Sequence, residues 1–224
     1  LGYRVVGDVP IARGTIFAPP PYAGRRWGPP PWERSVHGFR IDRVAGAHPR
    51  DATGKAGVDE AMAARRQRGE VGLAVLTRLE VTEARSSALG ELRGDSTRRS
   101  AILASVVALS SPPARDPVLV LGTHLSHLRH GSMSQMARIR ELIAEAKAGH
   151  RAVVIAGDMN LPGPWAQALL PGFRRLVRGR TWPGWSPLLQ PDHVLVNPPA
   201  TGSGEVVPVR GSDHLPVRVE LSFG

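Results

Sequence analysis

The chain has 224 residues and a formal net charge of +10 at pH 7. A chain of this length can bury a substantial core, and its longest apolar run, residues 101–109, is far too short to cross a membrane. The absence of cysteine excludes disulfides, thiolate metal sites and cysteine nucleophiles. The basic charge favours a polyanionic partner such as nucleic acid, although the arginine-rich composition of a GC-rich genome would give the same balance.

The first 69 residues show little regular hydrophobic pattern. Two triple-proline runs, residues 19–21 and 29–31, exclude a helix or a central strand around them, because proline lacks the amide donor and fixes φ. This part is expected to be a disordered linker or an irregular surface loop, and its scattered aromatic residues favour a docked loop. Within it, residues 59–68 have the composition of a short, very polar helix.

From residue 70 onward the hydrophobic pattern predicts strands and helices. The predicted strands are residues 71–77, 101–109, 117–123, 152–156, 193–196 and 217–221, and the predicted helices are residues 134–147 and 164–170. The order strand, helix, strand over residues 117–156 indicates parallel neighbours, whereas the spacing within residues 71–109 indicates an antiparallel pair. We expect one domain over residues 1–224, built on a mixed sheet or two packed sheets with outer helices.

Polar side chains cluster at or just beyond the ends of these strands. The candidate site residues among them are His124, Asp158, Asn160, Asp192, Asp213 and His214. Because alternate residues of an extended chain point the same way, the acid and the amide after the strand at 152–156 are expected side by side. Each residue taken alone has a structural explanation as a cap, a turn residue or a hydrogen-bonded histidine. The other six histidines are interpreted as exposed or supporting residues.

Taken together, these groups are typical of metal-assisted hydrolysis of a phosphate ester. One histidine can bind a phosphate oxygen, an Asp/Asn pair can activate and orient water, and a second histidine lies beside a carboxylate. Carboxylate and carboxamide oxygens are hard ligands that suit Mg²⁺ or Mn²⁺. The Gly-x-Ser-x-Gly motif of serine hydrolases and the glycine motifs of nucleotide-binding loops are absent from the sequence.

At these residues the chain resembles the endonuclease/exonuclease/phosphatase superfamily, which includes DNase I-like nucleases, abasic-site endonucleases, inositol-polyphosphate 5-phosphatases and neutral sphingomyelinases. The matching motifs, in order, are Thr-His-Leu at 123–125, Gly-Asp-Met-Asn at 157–160, Asp192 before a strand, and Ser-Asp-His-Leu-Pro-Val at 212–217. Gln135 and the strand at 70–78, which ends in Thr-Arg, match further family features. The resemblance covers residues 70–224 and implies an α+β fold, the DNase I-like four-layer α/β/β/α sandwich.

The resemblance also implies a role for each candidate residue. His124 would contact the scissile phosphate, Asp158 would position or deprotonate the attacking water, and Asn160 would hold that water or a phosphate oxygen. Negative charge grows on the non-bridging oxygens as water attacks, so donors and cations aimed there lower the barrier.

The remaining three residues would act on the phosphate and the metal. Asp192 would orient His214, because a neighbouring carboxylate fixes which imidazole nitrogen carries the proton. His214 would bind and polarise the phosphate, and Asp213 would help to hold Mg²⁺ or Mn²⁺.

One departure from the family concerns the start of the chain. Family members begin with a strand ending in Asn and a second strand ending in Gln-Glu, whose Glu is a principal metal ligand. Residues 1–70 do not supply these motifs, since Glu33, Glu60 and Glu70 lack the strand context. Because the chain begins with Leu1, we expect these strands to lie upstream and this part alone to have little activity. A degenerate, non-catalytic relative is the alternative.

The sequence therefore predicts a divalent-metal-dependent phosphoester hydrolase, in the first instance a monomeric, nuclease-like phosphodiesterase acting on nucleic acid. A lipid or small-molecule phosphate is the alternative substrate, because tryptophans at 27, 32, 182 and 185 lie in proline-rich loops that could rim such a site or touch a bilayer. A third hypothesis is a non-enzymatic binding module with the same fold. The sequence neither supports a membrane partner directly nor predicts the compartment.

Overall fold

The structure is a computed structural model that describes residues 4–17, 39–41, 66–93, 95, 98–107, 116–209 and 212–223. The chain divides into two compact units, residues 10–71 and residues 1–9 together with 72–224. All the candidate site residues belong to the second unit. The single domain expected over residues 1–224 stays a prediction.

Three strands precede the motif-bearing part of the chain. They are β1 (Arg4–Phe17), β2 (Phe39–Ile41) and β3 (Arg66–Thr77), and they form a sheet in the order β2-β1-β3. The irregular structure expected for residues 1–69 is therefore wrong for Arg4–Phe17, where β-branched residues favour an extended chain.

Two further expectations for this part are corrected by β3. The predicted polar helix at 59–68 is wrong for residues 66–68, which are extended, and its earlier residues lie outside the described part of the chain. Glu70 lies inside β3 and so does have strand context, whereas Glu33 and Glu60 fall outside the described residues.

A six-stranded sheet carries the candidate site, in the order β4-β5-β6-β7-β9-β8. Its strands are β4 (Val81–Ala88), β5 (Ser100–Val106), β6 (Val118–His124), β7 (Ala152–Asp158), β8 (Arg174–Arg175) and β9 (Asp192–Val196). Strands β6 and β7 are parallel, as predicted for residues 117–156, and helix α1 (Arg129–Ala146) connects them. The other neighbouring pairs are antiparallel.

The predicted antiparallel pairing within residues 71–109 is wrong. Strand β3 belongs to a different sheet, and the antiparallel neighbour of β5 is β4, which the hydrophobic pattern did not predict. Most residues of β4 are polar and exposed, so this edge strand lacks the alternation of apolar and polar residues that marks a half-buried strand.

The six-stranded sheet has a hydrophobic core on each face. Helix α1 and the short helix α2 (Trp165–Ala168) cover one face, where Met136, Ile139 and Leu142 are fully buried. The hairpin of β10 (Ala200–Val206) and β11 (Val217–Phe223) covers the other face, where its valines pack against those of β6, β7 and β9. These layers of helix, sheet and second sheet confirm the predicted α+β class. No helix in the described part of the chain is long and apolar enough to span a bilayer.

Candidate active site

Three neighbouring strands place one polar residue each at the same edge of the sheet. Strand β6 ends in His124, β7 ends in Asp158 and β9 begins with Asp192. His124 is in register with Asp158, and Asp158 is in register with Asp192. Residues in register share a face of the sheet, so the three side chains form a row on the face that the β10–β11 hairpin covers. The sheet thus brings together three residues predicted from separate motifs.

A glycine makes the close approach of β6 and β7 possible near this row. Gly157 has a φ of +146°, and a Cβ atom there would lie 1.8 Å from the carbonyl oxygen of Thr123. Thr123 is itself fixed, because its buried hydroxyl donates to Ser100 O at 3.2 Å. Beyond the row, Leu125 N–H donates to Asp158 O at 2.8 Å and prolongs the strand pairing. The backbone of Asp158 is therefore held against the end of β6.

The chain turns directly after Asp158. Asn160 has a φ of +49°, so it lies in the left-handed region and not in the extended conformation expected from the sequence. Its backbone N–H donates to Asp158 Oδ1 at 2.9 Å, and its side-chain Nδ2 donates to Leu125 O at 2.8 Å. The two residues are adjacent through an Asx turn and not through strand alternation, which corrects the geometry expected for this pair.

The second oxygen of Asp158 faces two imidazoles. Its Oδ2 lies 3.4 Å from Nε2 of His124 and 3.8 Å from Nε2 of His214. The same Nε2 of His214 lies 3.6 Å from Oδ2 of Asp213. Asp158 Oδ2 thus lies within 4 Å of both imidazoles, and Nε2 of His214 lies within 4 Å of both carboxylates.

Asp192 hydrogen-bonds to His214, and the orienting role that the resemblance implies for Asp192 stays a prediction. Asp192 Oδ2 accepts a hydrogen bond from Nδ1 of His214 at 2.8 Å, so Nε2 points towards Asp158 and Asp213. Burial is the largest single influence on the pKa of His214 and lowers it. The hydrogen bond and charge of Asp192, with the charges of Asp158 and Asp213, outweigh burial and raise this pKa above its ordinary value. His214 is thereby suited to carry positive charge towards an anionic group.

Thr181 joins the site without any sign in the sequence pattern. It is fully buried, and its hydroxyl donates to the same Oδ2 of Asp192 that binds His214. It lies in the irregular segment between β8 and β9, where neither periodicity nor a motif singles it out.

Three of the histidines interpreted as exposed or supporting residues have described side chains. His193 is buried on the helix-covered face with Nε2 2.7 Å from Leu161 O, His150 pairs with Ser105 Oγ at 2.8 Å, and His127 is exposed. The side chain of His130 is not described, and His37 and His48 lie outside the described residues.

The described donors fit a divalent cation. Ligand atoms of Asp158, Asp192 and His214 all lie within 4.8 Å of one another, and carboxylate oxygens with an imidazole suit Mg²⁺ or Mn²⁺. Within this group, Asp192 Oδ2 also accepts hydrogen bonds from His214 and Thr181. The role of Asp213 as a metal ligand stays a prediction.

The model of the Endonuclease/Exonuclease/phosphatase family matches residues 34–214, a range that ends on His214 and includes the whole row. The chain belongs to this family. The motifs read from the sequence therefore identified the correct superfamily. No curated protein matches the sequence at a significant level.

Several solved structures are similar in fold to this chain. A functionally unknown conserved protein from Enterococcus faecalis has a TM-score of 0.57 and 20% identity, covering 70% of this chain and 73% of its own. The mannosyl-6-phosphatase of Bacteroides thetaiotaomicron has a TM-score of 0.56 and 16% identity, covering 69% and 71%. D. rerio TDP2, complexed with single strand DNA product, has a TM-score of 0.51 and 16% identity, covering 69% and 73%. At these identities the likeness establishes the DNase I-like fold alone.

Proposed function

We propose that this family member is a divalent-metal-dependent phosphoester hydrolase. The observation that carries the proposal is the row of His124, Asp158 and Asp192 with His214 hydrogen-bonded to Asp192 beside it. A carboxylate that can accept a proton from water lies here within a few ångströms of two imidazoles that can donate hydrogen bonds to a phosphate.

Each side chain has a defined task in this proposal. Asp158 Oδ2 accepts the proton of the attacking water, while Asn160 keeps Oδ1 engaged and the carboxylate oriented. His124 and His214 donate to the non-bridging oxygens, where negative charge develops, and Asp192 keeps the proton-bearing Nε2 of His214 aimed at them. A bound Mg²⁺ or Mn²⁺, for which Asp213 is the predicted ligand, would supply further charge stabilisation for the phosphate oxygens.

For the substrate we favour a phosphodiester of nucleic acid. The net charge of +10 supports this choice, because arginine contacts to phosphates would retain a polyanion at the site. The relative from D. rerio was solved with a DNA product, whereas another relative is a mannosyl-6-phosphatase, so the fold accommodates different phosphate esters.

The test compares hydrolysis of a phosphodiester, bis(p-nitrophenyl) phosphate, with that of a monoester, p-nitrophenyl phosphate, by the full-length protein. Asp158→Asn and His214→Ala should each lower kcat by about 10³-fold or more, because both residues act on the reacting groups. Their free energy of unfolding should change little, since both side chains lie at strand or loop ends. His127→Ala, at an exposed position just after the row, is the matched control and should keep wild-type turnover.

Removing the metal tests the other half of the proposal. EDTA should abolish turnover, and added Mg²⁺ or Mn²⁺ should restore it. Turnover that survives in EDTA, or near-normal turnover in Asp158→Asn, would refute the assignment. If the wild-type protein binds phosphate esters but hydrolyses none with either ion, it is the non-catalytic binding module.

A lipid phosphate is the second candidate substrate, and one exposed loop favours it. Trp185 is 45% and Leu188 62% exposed, between Trp182 and Leu189, which are also exposed and are joined by hydrogen bonds. Tryptophan and leucine on an exposed loop are suited to the interface of a bilayer.

Vesicle binding separates the two substrates. If the lipid candidate is correct, the protein should sediment with vesicles of phosphatidylcholine and phosphatidylserine. Trp185→Ser combined with Leu188→Ser should then weaken binding about tenfold or more. Leu76→Ser, at an equally exposed leucine in β3, is the control. Absence of sedimentation would remove the membrane version.

A further inference from the structure

We infer that Thr181 is a positioning residue for the Asp192–His214 pair, an inference that rests on the proposed function. Thr181 Oγ1 and His214 Nδ1 both donate to one oxygen, Oδ2 of Asp192. A hydroxyl has a single proton to donate, so this bond commits the threonine to the carboxylate. Two fixed donors on the same oxygen leave the carboxylate one orientation in which both are satisfied.

The threonine is itself held in place by its backbone. Its N–H donates to Leu189 O at 2.8 Å, and its carbonyl oxygen accepts a hydrogen bond from Leu215 N–H, also at 2.8 Å. Thr181 is fully buried, and a β-branched side chain has few χ1 rotamers, so its hydroxyl has little freedom to turn away. Thr181 thus binds the carboxylate with its side chain and the residue after His214 with its backbone.

A second contact of the same segment supports this arrangement. Gly184 N–H donates to Asp213 O, and a Cβ atom on Gly184 would lie 2.8 Å from Ser212 O. The segment from Thr181 to Gly184 therefore fixes the loop that carries Asp213 and His214 at two backbone points. This loop and Asp192 come from different parts of the chain, and the segment is their common support.

The consequence concerns kcat and not substrate binding. Without the hydroxyl, Asp192 can rotate, and Nε2 of His214 spends less time aimed at the phosphate position. Thr181→Val keeps the shape of the side chain and removes only the donor, so kcat should fall about 10- to 100-fold, as for other supporting partners of site residues. KM should stay within about twofold, because the hydrogen bond from His214 matters most as negative charge develops on the phosphate oxygens in the transition state. Thr181→Ser restores the hydroxyl and should recover most of the turnover.

A second measurement does not depend on turnover. In the metal-free protein, the hydrogen-bonded Nδ1–H of His214 should give a downfield proton NMR signal, assigned by its loss in His214→Ala. Thr181→Val should shift or broaden this signal, and Thr181→Ser should retain it. Gly184→Ala, which presses on Ser212, should disturb the same signal.

The controls separate the possible explanations. Urea unfolding of both Thr181 variants checks that each is folded. Wild-type kcat together with an unchanged signal in Thr181→Val would overturn the inference. Equal losses in the valine and serine variants would also overturn it, because the hydroxyl that serine keeps would then not account for the effect. If the wild-type protein hydrolyses no phosphate ester, the proposed function fails, while the NMR signal still tests whether Thr181 positions Asp192 and His214.

Discussion

At the scale of single residues, His193 shows how a buried histidine beside the site makes stability depend on pH. Its Nε2 lies 2.7 Å from Leu161 O, so the neutral ring donates there. Burial, the largest influence, lowers the pKa of His193, and the positive charge of Arg175 lowers it further. The backbone hydrogen bonds with Leu161 and Gln190 and the charge of Asp192 raise this pKa and only partly compensate.

The sign of the effect follows from proton binding. Because the pKa is lower in the folded state than in the unfolded chain, the unfolded state binds more protons between the two pKa values. Stability from the neutral ring is complete above about pH 6.5, the unfolded value, and is lost as pH falls towards the lower, folded value.

His193→Gln isolates this contribution, because a glutamine amide can still donate to Leu161 O. Urea unfolding from pH 8 to pH 5 should show a smaller loss of stability for the variant than for the wild type. The difference between the two proteins at pH 8 reports packing alone and serves as the internal control. Parallel pH profiles would show that His193 does not titrate on unfolding.

The site residues predicted from the sequence share one property. Each follows or precedes a strand that can be recognised from the local sequence. Asp158 after its apolar run and His214 after Asp213 are of this kind. Thr181 escaped because its role depends on a hydrogen bond to Asp192 across an irregular segment, and no local pattern encodes that contact. The left-handed turn at Asn160 escaped for the same reason.

At the scale of elements, the junction between β6 and β7 depends on Gly157. A Cβ atom there would approach Thr123 O to 1.8 Å, and the backbone φ of +146° disfavours any other residue. Gly157→Ala should lower the free energy of unfolding by more than about 3 kcal/mol, since one of the two central strands must move. Urea denaturation measures this loss.

Gly172→Ala is the matched control for that substitution. Gly172 also has a positive φ, +86°, but nothing lies within 4 Å of a Cβ atom there. The free energy of unfolding of Gly172→Ala should fall by about 1 kcal/mol, which is the conformational cost without a clash. Equal losses in the two variants would show that the close approach of β6 and β7 does not limit stability.

The elements that were predictable are those with strong internal patterns. The buried strands β5, β6, β7 and β9 and the crossover helix α1 follow from continuous apolar runs and a 3.6-residue period, although α1 begins five residues earlier than the predicted residue 134. Strands β4 and β10 were missed because most of their residues are exposed or polar, so partner strands and not their own sequence decide their conformation.

At the scale of the whole molecule, the net charge of +10 is consistent both with a polyanionic partner and with a bias in composition, and the salt dependence of binding distinguishes them. Binding of single-stranded DNA should weaken linearly in log K against log salt, because each neutralised phosphate releases counterions. Arg178 and Arg180 are exposed and lie just before Thr181, where the segment that supports the His214 loop begins. Replacing both with Gln should weaken binding and reduce the magnitude of the salt slope by about 1 to 2.

The control for this prediction removes the same charge elsewhere. Arg138 and Arg140 lie on α1, across the sheet from the row, and Arg138 pairs with Glu141 at 2.8 Å. Replacing both with Gln lowers the net charge equally, so it would lower affinity as much only if net charge alone attracted the DNA. We expect the Arg178 and Arg180 variant to bind DNA more weakly and with a smaller salt slope. The Arg138 and Arg140 variant should keep the affinity and the salt slope of the wild type. Fluorescence anisotropy over a salt series, with turnover disabled by Asp158→Asn, measures both quantities.

Binding that does not depend on salt would exclude nucleic acid as the substrate. A smaller phosphate ester or a lipid phosphate would then be the substrate of the hydrolytic site.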